Sequence, residues 1–78
     1  MTRPPRLSPR EIECLRALAD GEGPKQIAHR LGLSIRTCEH YVLGARRKLR
    51  AKNTTHAVVL AIEHGLLTPK WAFDSRGV

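Results

Sequence analysis

The chain has 78 residues, and 41% of them are hydrophobic, which is enough for a single small domain with one core. No apolar run approaches the roughly 20 residues of a membrane-spanning helix, and the basic N-terminus lacks the apolar segment of a secretory signal. Fourteen Lys and Arg residues against seven Asp and Glu residues give a formal net charge of +7. We therefore expect a cytoplasmic protein with a polyanionic partner, most often nucleic acid, and no membrane partner.

The cysteine and histidine residues do not form a metal-ligand pattern. Cys14 and Cys38 are too few for a disulfide framework or a zinc ribbon, and both lie in helical apolar patterns. The four histidines are scattered, and none forms a close ligand pair with a cysteine. No acid pair or nucleophile–base pair stands out, and so small a domain has little room for a deep pocket. We expect no metal, no cofactor and no enzymatic activity.

The N-terminal part of the chain predicts a basic arm followed by a helix. Residues 1–7 are rich in Pro and Arg, and we expect them to be disordered. Ser8 can cap a helix, Pro9 suits the first helical position, and Glu11 can close a capping box. The apolar residues that recur at helical spacing after this start are Ile12, Leu15, Leu18 and Ala19. This helix is predicted to stop near Asp20 and Gly21.

A short second helix is predicted to begin at Pro24, after a glycine-rich turn. Its apolar face consists of Ile27, Ala28 and Leu31. Gly32 is expected to end it, because glycine adopts the left-handed conformation that other residues resist. Leu33 is then expected to enter the core between the helices.

The third helix, which we place at residues 34–50 with Ser34 as its cap, has two different sides. Its apolar residues share one stripe, and they are Ile35, Cys38, Val42, Ala45 and Leu49. The opposite side carries long and mostly basic side chains. A short helix, a turn at Gly32 and a longer basic helix over residues 26–49 are the outline of a helix-turn-helix, whose second helix enters the DNA major groove.

A fourth helix is predicted at residues 55–64, ending at Gly65, and it is unusually apolar. The residues expected to face the core are Ala57, Val58 and Ala61. Val59 lies nearly opposite, with Ile62 and Leu66 towards its side, and one small domain cannot cover both faces. The apolar patch left over predicts a partner surface, in the first place a second copy of the chain. Alternatively, Trp71 or Phe73 of the C-terminal tail folds back over the patch.

Together these elements predict an all-α fold. We expect a four-helix bundle-like domain with a central helix-turn-helix over residues 8–67, preceded by the arm and followed by a tail at residues 68–78.

Four short motifs occur in order along the chain. They are Leu7-Ser8-x-Arg10-Glu11, Lys25-x-Ile27-Ala28, Leu33-Ser34-x-x-Thr37 and Lys48-Leu49. In this combination they resemble the LuxR-type (GerE-like) helix-turn-helix domain of bacterial transcription regulators, over residues 7–67. The chain looks like the stand-alone form of that domain, because only six residues precede the first motif. We then expect no receiver or ligand-binding domain, and control through abundance, a protein partner or the tail.

The resemblance implies that the third helix lies in the major groove and that the fourth forms a dimer contact. The side chains expected to face the bases are Arg36, Glu39, His40, Leu43 and Arg47. Those expected to approach phosphates are Lys25, Ser34, Thr37, Tyr41, Arg46, Lys48, Thr54 and Thr55. Those expected in the dimer interface are Val59, Ile62, Glu63 and Leu66.

The chain departs from the pattern of the family at several of these positions. Cys38 replaces a frequent Val, which is a tolerable exchange of two small apolar residues. Glu39 stands where a basic residue is usual, and it can accept a hydrogen bond from cytosine N4. Tyr41 replaces a frequent His, and Thr54 a common Arg. Arg50 replaces the usual glycine after Lys-Leu, so the third helix is expected to end differently or to run longer.

We therefore predict a sequence-specific, DNA-binding transcription regulator that acts as a homodimer on double-stranded DNA. Two alternatives stay open. The first is an anti-activator, a protein-interaction module that pairs with a LuxR-type regulator through its fourth helix. The second is a promoter-binding module like sigma-factor region 4, since residues 45–50 look like the end of that recognition helix. A second regulator or RNA polymerase is the protein partner that these alternatives imply.

Overall fold

The computed structural model describes residues 5–68, which form four α-helices and no β-strand. The helices are α1 at Pro9–Ala19, α2 at Pro24–Leu31, α3 at Ile35–Leu49 and α4 at Thr54–Glu63. The all-α prediction is confirmed, and α2 and α3 form the predicted helix-turn-helix. Residues 1–4 of the predicted arm, and the tail from residue 69 onwards with Trp71 and Phe73, lie outside the described residues.

The helix starts follow the predicted capping chemistry. The Ser8 hydroxyl accepts a hydrogen bond from the Glu11 amide at 3.2 Å, and the Ser8 amide donates to Glu11 Oε1 at 2.8 Å. The Ser34 hydroxyl accepts from the Thr37 amide at 3.0 Å, so Ser34 is the cap of α3 and lies just outside the helix. Asn53 caps α4, which therefore begins one residue before the predicted start. Each cap satisfies a backbone donor that a helix leaves without an internal partner.

The turn between α2 and α3 depends on Gly32. This residue has a φ of 69° and ends α2 in the left-handed conformation, as predicted. The Leu33 amide then donates to the Ala28 carbonyl at 2.8 Å, which closes the helix end. Leu33 is half-buried, and the next residue, Ser34, already caps α3. The two helices are thus joined by a connection too short to vary much in geometry.

Two buried clusters hold the helices together. The first, which joins α1, α3 and α4, contains Leu15, Ala45, Leu49, Ala57, Ala61 and Leu67. The second, which joins α1, α2 and α3, contains Cys14, Ala17, Ile27, Ala28 and Cys38. Burial raises the pKa of the Cys14 thiol to about 11, and the neighbouring Cys38 thiol contributes. Both cysteines are free, so they act as small apolar residues in the core.

The predicted apolar stripe of α3 is correct for four of its residues and wrong for Ile35. Cys38, Ala45 and Leu49 are buried and Val42 is half-buried, but 45% of the Ile35 surface is exposed. Ile35 is the first residue of α3, and side chains in a helix lean towards its N-terminus. At this position the Ile35 side chain projects past the end of the packed part of the helix.

Helix α1 buries a polar residue that the apolar pattern did not place in the core. Glu11 is 6% exposed, and its Oε1 accepts a hydrogen bond from Lys48 Nζ of α3 at 2.8 Å in addition to the Ser8 amide. Burial raises the pKa of Glu11, but the hydrogen bonds from Lys48 and Ser8 outweigh it, so this pKa lies below its ordinary value. A charged Glu11 therefore links the start of α1 to the end of α3.

Gly44 makes room for this carboxylate. A Cβ added at Gly44 would lie 2.6 Å from Glu11 Oε2, well inside van der Waals contact. Because Ser8 and Lys48 both hold the other carboxylate oxygen, the Glu11 side chain cannot move aside without losing a hydrogen bond. The glycine in the middle of α3 is thus explained by its contact with α1.

A double-mutant cycle tests this contact. Gly→Ala inside a helix normally raises the free energy of unfolding by about 1 kcal/mol. We expect Gly44→Ala to give no gain or a loss in the wild-type chain, and the ordinary gain of about 1 kcal/mol in a Glu11→Ala background. Urea unfolding of the four variants measures both values. An equal gain in the two backgrounds would contradict the close approach of Glu11 to Gly44.

Candidate nucleic-acid interface

The predicted base-facing residues lie together on one exposed side of α3. Arg36, Glu39, His40, Leu43 and Arg47 are all exposed, and their spacing of three and four residues places them in one row. From Arg36 to Arg47 the row is roughly 16 Å long, at 1.5 Å per residue. We call this side of α3 the outward face; the α3 residues of both buried clusters, Cys38, Ala45 and Leu49, lie on the other side of the helix.

The outward face carries mostly positive charge. In residues 5–68 the ion pairs are Arg10–Glu13, Arg30–Glu22 and Lys48–Glu11, and none of them uses Arg36 or Arg47. Glu39 is the acidic residue among the five. Two unpaired guanidinium groups on a convex helix suit an anionic partner with a groove, since Arg donates to both phosphates and base edges.

The starts of α2 and α4 flank α3 on the same side of the domain. An open groove of about 350 Å³ runs beside α3. It is lined by Leu18, Pro24, Glu39, Val42, Leu43, Arg46 and Thr54. Pro24 and Thr54 are the first residues of α2 and α4, so the neighbouring candidates Lys25 and Thr55, both exposed, start from the edges of this groove. Backbone N–H groups at helix starts and a nearby Lys favour phosphate oxygens.

Two residues predicted to contact phosphates, Ser34 and Thr37, are hydrogen-bonded to each other. The Ser34 hydroxyl donates to Thr37 Oγ1 at 2.9 Å while it caps α3. Ser34 is exposed and Thr37 is half-buried, so both hydroxyls lie at the surface at the start of the outward face. This hydrogen bond orients the Ser34 hydroxyl, whereas Thr37 Oγ1 is its acceptor.

Three further candidates have structural roles that the sequence did not reveal. Lys48 pairs with Glu11, and Arg46 Nη2 donates to the Lys52 carbonyl at 3.2 Å. Tyr41 is half-buried against the second cluster, with its ring edge-on to His40 at 6.5 Å between centroids. The Lys48 side chain is still 47% exposed, and an ammonium has three donors, so the pair with Glu11 leaves capacity for a phosphate.

The outer side of α4 carries an apolar patch. Val59 is 45% exposed, and Ile62 and Leu66 are half-buried at the edge of the first cluster. Glu63 is exposed beside them. We call these four residues the α4 patch. Within residues 5–68 the packing leaves 45% of the Val59 surface exposed, so the α4 patch offers an apolar contact surface to a second chain.

Arg50 ends α3 in an unusual conformation. Its φ of 56° and ψ of 40° place it in the left-handed region, and in residues 5–68 it is the one non-glycine residue with positive φ. The helix therefore stops at Leu49, as it would with the glycine usual at this position, and does not run longer. An L-residue pays a conformational cost there that glycine avoids.

The sequence profile described as "Bacterial regulatory proteins, luxR family" matches residues 5–61 of the chain. The chain belongs to the LuxR family. This match includes residues 45–50, on which the alternative of a sigma-factor module rested, and it includes both helices of the helix-turn-helix.

Relatives of the LuxR-type chain include the transcriptional activator protein BjaR1 of Bradyrhizobium diazoefficiens. The two are 42% identical over 64 residues, which cover 82% of this chain and 26% of BjaR1. Two solved structures of VqmA from Vibrio cholerae are similar at 35% identity. A ligand–DNA complex gives a TM-score of 0.74 over 90% of this chain and 32% of VqmA. The structure of a VqmA dimer without target DNA gives a TM-score of 0.73 and covers 86% of this chain and 30% of VqmA. The chain therefore spans less than a third of each of these proteins.

Within residues 5–68, no three side chains of the ligating types His, Cys, Asp and Glu come together as a candidate metal site. The same part of the chain contains no helix with the length and apolar character needed to cross a membrane.

The left-handed conformation of Arg50 makes a prediction about stability. We expect Arg50→Gly to raise the free energy of unfolding by about 0.5–1 kcal/mol, because glycine relieves the strain but gains entropy in the unfolded chain. Arg50→Ala is the matched control, since it removes the long side chain and keeps the Cβ. Thermal unfolding measures both variants. Equal stability of the Gly and Ala variants would show that the conformation carries no strain.

Proposed function

We propose that this LuxR-type chain binds double-stranded DNA in a sequence-specific manner as a homodimer and thereby regulates transcription, with α3 in the major groove. The observation that carries the proposal is the outward face of α3, exposed and mostly basic, with the starts of α2 and α4 beside it. The likeness to VqmA in its DNA complex and to the activator BjaR1 supports it. Such a regulator works in the cytoplasm, where bacterial DNA lies.

In this proposal the contacts divide into two groups. Arg36 and Arg47 donate to guanine O6 and N7 or to phosphates, and Glu39 accepts from cytosine N4. His40 completes this row on the outward face. The phosphate contacts come from the flanks of α3, in particular Lys25 and the start of α4 at Thr54. Phosphate contacts set the register and much of the affinity, whereas the outward face selects the sequence.

Dimerisation in this proposal uses the α4 patch. A two-fold interface brings the same surface of both copies together, so Val59 and Leu66 of one chain pack on α4 of the other. The two α3 helices then enter successive major grooves about one helical turn, or roughly 34 Å, apart. VqmA, to which the chain is similar, forms a dimer, and this supports dimerisation of the chain.

Glu39 favours a second candidate function. An acidic side chain on the outward face repels phosphates, and the resemblance to the family implies a basic residue at this position. A chain that bound DNA weakly but kept the α4 patch would pair with a full-length LuxR-type regulator and block it. This anti-activator needs the same α4 surface, so DNA binding separates the two candidates.

DNA binding by α3 is tested with titrations at several salt concentrations. We expect the affinity to fall steeply with salt, and Arg47→Ala to weaken binding about tenfold, the loss expected for one good base contact. Arg16→Ala is the matched control: it removes the same charge from the exposed side of α1, next to Glu13 and Asp20. We expect it to change the affinity less than threefold.

Selection from a randomised DNA library tests the sequence-reading role. We expect Glu39→Ala and His40→Ala to change the preferred site, because both side chains belong to the outward face. Wild-type preference in both variants would show that α3 does not read the bases. No binding to random DNA at low salt would exclude the DNA-reader and leave the anti-activator.

Two substitutions at Val59 test whether the α4 patch forms the dimer interface. Val59→Glu places a charge on an exposed surface, so we expect a folded monomer that binds a palindromic site at least tenfold more weakly. Val59→Ile keeps the surface apolar and should remain dimeric on DNA. Sedimentation equilibrium with and without DNA measures the mass. A dimer of the Glu variant on DNA, with unchanged affinity, would place the interface elsewhere.

A further inference from the structure

Leu43 is an apolar side chain in the middle of the charged outward face of α3. It is 37% exposed, whereas Val42 next to it turns inwards against the second cluster. At 100° per residue, Arg36 lies about 20° and Arg47 about 40° to one side of Leu43, and Glu39 about 40° to the other. His40 lies about 60° to the same side as the two arginines, so Leu43 is an apolar position between Glu39 on one side and Arg36, Arg47 and His40 on the other.

The chemistry of Leu43 limits what it can contact in a DNA groove. A leucine side chain neither donates nor accepts a hydrogen bond, and it gives no attraction to a phosphate. The edges of unmodified base pairs in the major groove offer one apolar group, the C5 methyl of thymine. If Leu43 faced a polar base edge instead, it would remove water from that edge without replacing the lost hydrogen bonds.

The described part of the domain buries Leu43 incompletely and leaves 37% of its surface exposed. The groove beside α3 passes between Leu43 and the ends of α1 and α4, so the described residues leave its outer side open. Ile35 is the other exposed apolar residue of α3, but it lies at the first turn and about 80° away around the helix. Of the two, only Leu43 lies within the row of the outward face, between Glu39 and Arg47.

We propose that Leu43 is a specificity-determining residue that selects a thymine in each half-site by van der Waals contact with its C5 methyl. This inference rests on the proposed function, because it requires α3 in the major groove. It goes further by naming the base that one residue of the outward face selects. The thymine contacted by Leu43 lies within about two base pairs of the base contacted by Glu39, since the two residues are about 6 Å apart along the helix.

The experiment replaces thymine by deoxyuridine, one position at a time, in the site selected by the wild-type protein. This change removes the C5 methyl and keeps the pairing with adenine. We expect a loss of affinity at one symmetry-related pair of positions, about fourfold for each half-site, the value of one buried methyl group. Fluorescence anisotropy titrations of the full chain provide the dissociation constants.

Three variants assign that loss to Leu43. Leu43→Ala should bind the thymine site more weakly and show no further loss with deoxyuridine. Leu43→Met, which keeps an apolar side chain of similar volume, should retain most of the methyl dependence. Ile35→Ala is the matched control for an exposed apolar residue of α3, and it should keep the full dependence. Circular dichroism checks that each variant has the helix content of the wild type.

The outcomes separate this inference from the proposed function. Specific binding with no effect of deoxyuridine at any position, or with the same effect in Leu43→Ala, would overturn the role of Leu43 and leave the proposed function intact. The same holds for a selected site that requires no thymine. Absence of DNA binding by the wild-type chain at low salt would overturn both.

Discussion

The position of α3 depends on a single buried carboxylate. Glu11 Oε1 accepts hydrogen bonds from the Ser8 amide and from Lys48 Nζ, both at 2.8 Å, so one oxygen caps α1 and also binds α3. The second oxygen occupies the space left by the missing side chain of Gly44. A buried charge needs such partners, because an unpaired carboxylate in the core would cost several kcal/mol. The angle between α1 and α3 is therefore set by hydrogen bonds as well as by packing.

Small residues extend this close contact along α3. Cys38 and Ala45 are completely buried and face α1, α2 and α4, and the bulkier Val42 between them is half-buried at the edge of the second cluster. Because both clusters use α3, the helix cannot rotate without exposing one of them. A fixed rotation of α3 fixes in turn which residues form the outward face. The same packing brings the starts of α2 and α4 beside it, so the outward face and the proposed phosphate contacts belong to one surface.

The features that could be predicted from the sequence depend on residues close together in the chain. The caps at Ser8 and Ser34, and the left-handed glycine at position 32, are decided within one helical turn. The pair of Glu11 with Lys48 joins residues 37 positions apart, and neither residue carries a local signal of it. Periodicity also assigned Ile35 to the core, because a helical repeat does not indicate where the packed part of a helix ends. The exposed row on α3 followed from periodicity, but the contacts of Arg46 and Lys48 within the domain required the fold.

In the proposed complex, different residues of the outward face provide the affinity for DNA and the choice of its sequence. Neither Glu39 nor Leu43 attracts a phosphate, so in the proposed complex the general attraction to DNA would come from Arg36, Arg47 and the flanks of α3. An acidic acceptor and an apolar side chain are instead selective, since each suits one feature of the major groove, cytosine N4 or the thymine methyl. Each is also unfavourable against other bases, the carboxylate by repulsion and the leucine by desolvation. If α3 enters the major groove as proposed, we expect this face to bind random DNA weakly and to discriminate by penalties for wrong sequences as much as by contacts to the right one.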